Sequence, residues 1–196
     1  AASMGPMLKE ESFHLGTGSN GLRRIIKAGV IPLDMLQRYM NKWVATAHDL
    51  FGTDSSTSAH WAYVWGVKGR WDERKKLDAS IDVDKEILNE ESRGHYHDEI
   101  AKEVMKLNGY LPEDCDVTLN IPHENFNRDI GNFGGKNCYT TGELFEGTDE
   151  EYAEYLKTVL PTPEDEEALK ELFKLPWIED KPMSPRQIAS GIGASA

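Results

Sequence analysis

The stretch that decides the fold is Met4-Gly5-Pro6-Met7-Leu8-Lys9-Glu10-Glu11-Ser12-Phe13-His14-Leu15, continued through Gly16 to Leu22. Met4, Met7, Leu8, Glu11, His14, Leu15, Gly18 and Leu22 recur at spacings of three and four, the period of one helical face. That face is apolar except at Glu11 and His14. Gly16, Gly18 and Gly21 each lower helix propensity by up to about 1 kcal/mol relative to Ala, so a break near Thr17 to Asn20 competes with an uninterrupted helix. The favoured reading is a helix to about Lys27, ended by Gly29. The chain opens on Ala1 rather than on an initiator methionine and runs straight into this pattern, as a truncated reading frame would.

Working outward, Pro32 stands where a helix starts, and Leu33, Leu36, Tyr39, Met40, Trp43, Val44, Ala47 and Leu50 repeat with helical period as far as Gly52. Thr53 to Ser58 reads as a linker, Ala59 to Trp65 as a short helix, and Gly66 to Arg70 as a turn. A charged but periodic helix is expected from Asp82 to Asn108, with Gly109 as its stop and Gly94 as a candidate interruption. Val117 to Ile121 alternates apolar and polar before Pro122, which makes it the one strand candidate. Asn125 to Gly142 is rich in Gly and Asn and reads as an irregular connection. Acidic helices are expected over Asp149 to Val159 and Pro163 to Phe173, and a disordered tail beyond Asp180.

The 196 residues suit one domain or a large piece of one. With 22 Lys and Arg against 34 Asp and Glu, the net charge of -12 argues against a nucleic acid or an anionic membrane as the main partner. The 2 cysteines, Cys115 and Cys138, have no metal or redox spacing and fit reduced thiols in the cytoplasm. No apolar run approaches a membrane span, and no export signal opens the chain, so a soluble cytoplasmic protein is expected. No Gly-rich phosphate loop and no nucleophile elbow occur, which leaves hydrolase and nucleotide-binding readings without support.

Glu11 and His14 carry the chemistry. Carboxylate-bridged di-iron sites in helix bundles take one Glu from each of two helices and a Glu-x-x-His from each of the other two, and a spacing of three directs both groups from one face. Spacing alone fits a solvated ion pair on a helix face better than a metal site. The setting is more informative, because the pair interrupts an apolar stripe where an uncompensated charge is costly to bury. Either partners across a bundle satisfy the pair, or it binds a metal.

Glu10-Glu11-Ser12-Phe13-His14 resembles the final metal-binding helix of the catalytic subunits of phenylacetyl-CoA epoxidase and benzoyl-CoA epoxidase. Met35-Leu36-Gln37-Arg38, Asn41-Lys42-Trp43, Phe51-Gly52, Asp54-Ser55 and Trp65-Gly66-Val67-Lys68-Gly69-Arg70 follow the same family in the same order. Ile121-Pro122-His123 and Phe126-Asn127-Arg128-Asp129-Ile130-Gly131 are more similar to the benzoyl-CoA branch. The resemblance implies an all-α fold, the C-terminal part of a ferritin-like bundle, followed by a mainly helical, partly irregular extension. It divides the chain into the last bundle helices (1–110), the extension (111–180) and the tail (181–196). It also implies two non-haem iron ions that activate O2 to epoxidise the aromatic ring of an aryl-CoA, fed by a separate reductase. Glu11 then corresponds to a carboxylate ligand and His14 to an imidazole ligand, with the remaining ligands on helices that this chain lacks. The same family holds non-catalytic structural subunits, which makes a metal-free helical scaffold the alternative.

Lys68 and Arg70 resemble the family's CoA-contacting turn, where cations pair with phosphates, but a solvated basic loop fits them as well. Glu91, His95, His97 and Glu99 sit in a highly charged stretch and read as a solvated face rather than a second metal site. His48 and His60, among Trp43, Trp61 and Trp65, read as satisfied, partly buried histidines. His123 is unexplained. The helix over residues 4–22 is expected to expose an apolar face where further helices pack.

Overall fold

A computed structural model describes residues 4–51, 85–113 and 115–174. The expected linker, short helix and Lys68/Arg70 turn between residues 53 and 70, and the expected tail beyond Asp180, lie outside the described residues. The architecture is all-α, in the order α1 (Met4–Ala28), α2 (Leu33–His48) with a 3-10 turn (Asp49–Phe51), α3 (Lys85–Asn108), α4 (Asp149–Val159) and α5 (Pro163–Leu172).

Helix α1 runs unbroken through Gly16, Gly18 and Gly21. It stops where Gly29 adopts φ +62° and its N–H donates to the carbonyls of Ile25 and Ile26, a left-handed cap that favours glycine. Helix α3 likewise continues through Gly94 and ends at Asn108. Helices α4 and α5 open on reciprocal capping boxes, Thr148 with Glu151 and Thr162 with Asp165. Pro163 follows the second cap at the first helical position, where no backbone N–H is needed.

The core forms where α1, α3 and the chain after α3 meet: Ile26, Val104, Leu107 and Leu119 are buried, with Leu36, Met40 and Ile100 packed around them. Helix α2 lies where its periodicity places it, and Leu33, Leu36 and Met40 of that stripe pack on the core, but it also buries residues on a second side. Met35, Asn41, Val44, Ala45 and His48 are buried, whereas Trp43 and Leu50 are exposed. The reason is that α2 is packed from a second side, by α4, α5 and the irregular chain before them. As expected, α1 presents Met7, Leu8, Leu15 and Leu22 to the outside.

The strand expected over Val117 to Ile121 does not form, and no strand occurs among the described residues. Side-chain amides stand in for a ladder partner. Asn108 donates to the Leu119 carbonyl at 2.8 Å and accepts from its N–H at 2.9 Å. Gln37 accepts from the Asn120 N–H at 2.8 Å and donates to its carbonyl. The backbone is therefore extended and satisfied without a neighbouring strand. The irregular connection is found as read, with turns and an isolated bridge between Cys138 and Leu144.

Helix α2 is also the anchor of the C-terminal helices. The Arg38 guanidinium grips Asp165 through two bonds of 2.8 and 2.6 Å, and donates a third, at 2.8 Å, to Asp34. Asn41 donates to the Val159 carbonyl at 2.9 Å, satisfying an end group of α4. Asp165 is 8 % exposed at the side chain and also caps α5, so its loss strips both a charge partner and a cap. Asp165→Ala is expected to lower the unfolding free energy by about 3 kcal/mol, and Asp34→Ala, at an exposed pair, by less than about 1 kcal/mol. Urea denaturation of the two variants checks the ordering.

Candidate functional site

Helix α1 places Glu11 and His14 one turn apart on one side of the helix. The His14 Nδ1 lies 3.8 Å from a Glu11 carboxylate oxygen, and the two side chains are 57 % and 75 % exposed. Phe13 stands edge-on to the imidazole, with ring centroids 6.2 Å apart. Among the described residues neither group meets an oppositely charged partner other than the other. The pair thus offers a carboxylate oxygen and an imidazole nitrogen to the same region of space, a donor set suited to iron, manganese or zinc. It fits as part of a ligand set and not as a whole one: among the described residues no group of three or more His, Cys, Asp or Glu could hold a metal. Lys68 and Arg70 lie outside the described residues.

Glu91, His95 and Glu99 are exposed, as read, but His48 and His97 behave differently from expectation. His48 is fully buried, and neither ring nitrogen has a hydrogen-bond partner among the described residues, so it is not the satisfied histidine expected. Its ring neighbours are His97, stacked at 5.4 Å, and Tyr96, edge-on at 5.8 Å. Trp61 and Trp65 lie outside the described residues. His97 is half-buried rather than part of a solvated face, and its ring centroid lies 6.3 Å from that of His123. Desolvation, with smaller contributions from His97 and Arg128, holds His48 down to about 4; burial also lowers His97, against the opposing charge of Glu124.

His123 now has a structural role. Its N–H donates to the Thr140 carbonyl at 2.8 Å, and its ring lies against Gly142, where φ is +94° and an added Cβ would come 2.4 Å from the ring. Arg128 and Glu124 complete this region. Arg128, 2 % exposed, pairs with Asp49 at 2.6 Å and ties the irregular chain to the end of α2. Arg93 of α3 donates to Glu124 at 3.1 Å. Their partners are internal, so these motif residues fasten the fold.

No protein-family model matches the sequence. It is 30% identical over 199 aligned residues to benzoyl-CoA oxygenase component B of Aromatoleum evansii, an alignment that takes in 81% of this chain. The chain is related to that oxygenase component. It spans 42% of the relative's length, so more than half of that protein has no counterpart here. No helix among the described residues is long and apolar enough to cross a membrane.

The buried histidines give the related chain a distinct acid response. The folded protein holds His48 and His97 below the ordinary histidine value of 6.5, so the unfolded chain binds more protons as pH falls. Their contribution to stability is complete above about pH 6.5 and is lost as pH falls below it, for His48 toward about 4 and by up to about 3 kcal/mol. The urea midpoint is therefore expected to drop between pH 7 and pH 5, and His48→Leu is expected to flatten that dependence. An equal slope in the variant and the parent would remove His48 as the cause.

Proposed function

We propose that this chain is part of the oxygenase component of an aryl-CoA ring-epoxidising di-iron monooxygenase, and that Glu11 and His14 supply one carboxylate and one imidazole to its metal centre. The observation that carries the reading is the relationship to benzoyl-CoA oxygenase component B, taken with a Glu-x-x-His pair that shares one helix side and, among the described residues, has no other ion-pair partner. The remaining ligands come from helices of the complete protein, which cover the exposed Met7 and Leu8 on α1. Iron, when bound, supplies the activation of O2. One oxygen atom would enter the aromatic ring and the other leave as water, which requires two electrons from a separate reductase and two protons from solvent.

The chain's own residues hold and orient. Glu11 binds as the ionised carboxylate, and His14 binds through a neutral ring nitrogen. The continuous α1 fixes their spacing, because both sit on an unbroken helix rather than on a loop. The alternative, a metal-free structural subunit, requires Glu11 and His14 to meet salt-bridge partners, and among the described residues each meets only the other.

The complete protein, loaded with iron and supplied with reductant, is expected to add one oxygen atom to benzoyl-CoA or phenylacetyl-CoA in an O2-dependent reaction read by mass spectrometry. Changes outside the ligand sphere already cost about 10–100-fold at metal sites, so His14→Ala is expected to lower turnover at least about 100-fold. No oxygen incorporation into any aryl-CoA would end this reading.

A further inference from the structure

Among the described residues, the buried side-chain nitrogens without a hydrogen-bond partner all lie at one junction: both ring nitrogens of His48, Nδ1 of His97 and Nη2 of Arg128. Asp49, next to His48 in the chain, holds Arg128 there. Polar groups left unpaired in the interior are costly, so their concentration at one junction calls for a role beyond packing. The rings form a file of graded exposure. His48 is fully buried, the half-buried His97 stacks on it at 5.4 Å, and the exposed His123 follows, 6.3 Å from His97. The outer end opens on a pocket of about 360 Å³, lined by His97 and His123 with Glu91, Asp98 and Glu124. Carboxylates at such a mouth raise the local concentration of protons. His123 accepts the Asn125 N–H at Nδ1, at 3.2 Å, so its neutral ring carries the proton on Nε2.

The inner end of the file has a definite level along the helices. Ile26, Leu36 and Leu107 pack together at one level of α1, α2 and α3, and Leu15, Val44 and Ile100 line the same groove further along. At about 1.5 Å per residue, His14, His48 and His97 lie about 18, 18 and 15 Å beyond that first level on their own helices. We infer that His123, His97 and His48 relay protons from the pocket to the level of the helices at which Glu11 and His14 stand. The destination rests on the function proposed above, whose reaction takes up two protons and two electrons for each O2. A ring nitrogen of His123 takes a proton from solvent, and His97 and then His48 pass it on. It ends in an O–H bond of the water product, while the electrons arrive separately from the reductase. Where neighbouring rings do not meet through nitrogen, one bridging water completes the step. The charges that act on His48 are those of Arg128, Glu124 and Arg93, and those on His97 are Glu124 and Asp98. Burial first, then His97 and the two arginines, keeps His48 neutral at pH 7, so a proton that reaches it is handed on rather than trapped.

Exchange of the His48 ring N–H with solvent, read by NMR on the full chain carrying isotope-labelled histidine, tests the relay without iron or substrate. That exchange is expected to run faster than exchange of the buried α2 amides. His97→Phe, which keeps a ring but no nitrogen, is expected to slow it at least about tenfold, the lower end of what a positioned proton carrier contributes. Circular dichroism checks folding, and His97→Leu replaces the variant if His97→Phe does not fold. Exchange as slow as that of the amides, or unchanged in the variant, overturns the inference. In the complete protein, His97→Ala is expected to lower turnover about tenfold or more and added imidazole to restore it, with iron content unchanged. No loss, or a loss that imidazole does not restore, overturns the destination. If the parent protein oxygenates no aryl-CoA, the proposed reaction falls, and the exchange measurement still decides the relay.

Discussion

The fork of Arg38 on Asp165 is the interaction on which the second half of the structure depends. The chain after α3 carries little apolar mass of its own, with Phe126, Cys138 and Tyr152 as its buried centre. Tyr152 serves that centre through both its ring and its hydroxyl, which donates to the Cys138 carbonyl at 2.9 Å. Such a region needs directional attachments to a preformed element, and α2 provides them in series. Arg38 holds α5, Asn41 holds the end of α4, Gln37 holds the extended chain after α3, and Asp49 beyond the helix holds Arg128. A hydrogen bond to a charged group contributes about 1.5–3 kcal/mol and a neutral one nearer 1 kcal/mol, so the Arg38 fork outweighs the amide contacts beside it. The Arg38 neighbourhood holds the Asp165 carboxyl below its usual range, which keeps the pair ionised at neutral pH.

Much of the fold was legible because helices announce themselves locally. Apolar period, Gly29 and Gly109 as stops, and Pro32 and Pro163 near starts are all properties of a few neighbouring residues. The misreadings share another cause. Alternation over Val117 to Ile121 reports an extended backbone with one side covered, and cannot say whether the cover is a strand or the side chains of Gln37 and Asn108. Likewise, the second side that α2 buries is covered by α4 and α5, more than a hundred residues away in the chain. The burial of His48 depends on His97 and Tyr96 from α3, a pairing no local pattern encodes.

The candidate site divides along the same line. Glu11 and His14 were visible as a pair on one helical face, and the structure keeps them together. What completes a metal centre is not local to them, nor is it supplied by the described residues. Several motif residues that could have been read as functional turn out to be fasteners: Gln37, Arg38, Asn41 and Arg128 all make internal contacts.

Helix α1 therefore carries the central claim, that its Glu11 and His14 are ligands of a di-iron centre assembled in the complete protein. Iron content of the purified complete protein, by elemental analysis with Mössbauer spectroscopy, addresses this without reference to substrate. The account predicts about two iron ions per active site in the parent protein. It predicts loss of iron in both Glu11→Ala and His14→Ala, with helical content unchanged. Full iron occupancy and an unaltered spectrum in both variants would contradict it.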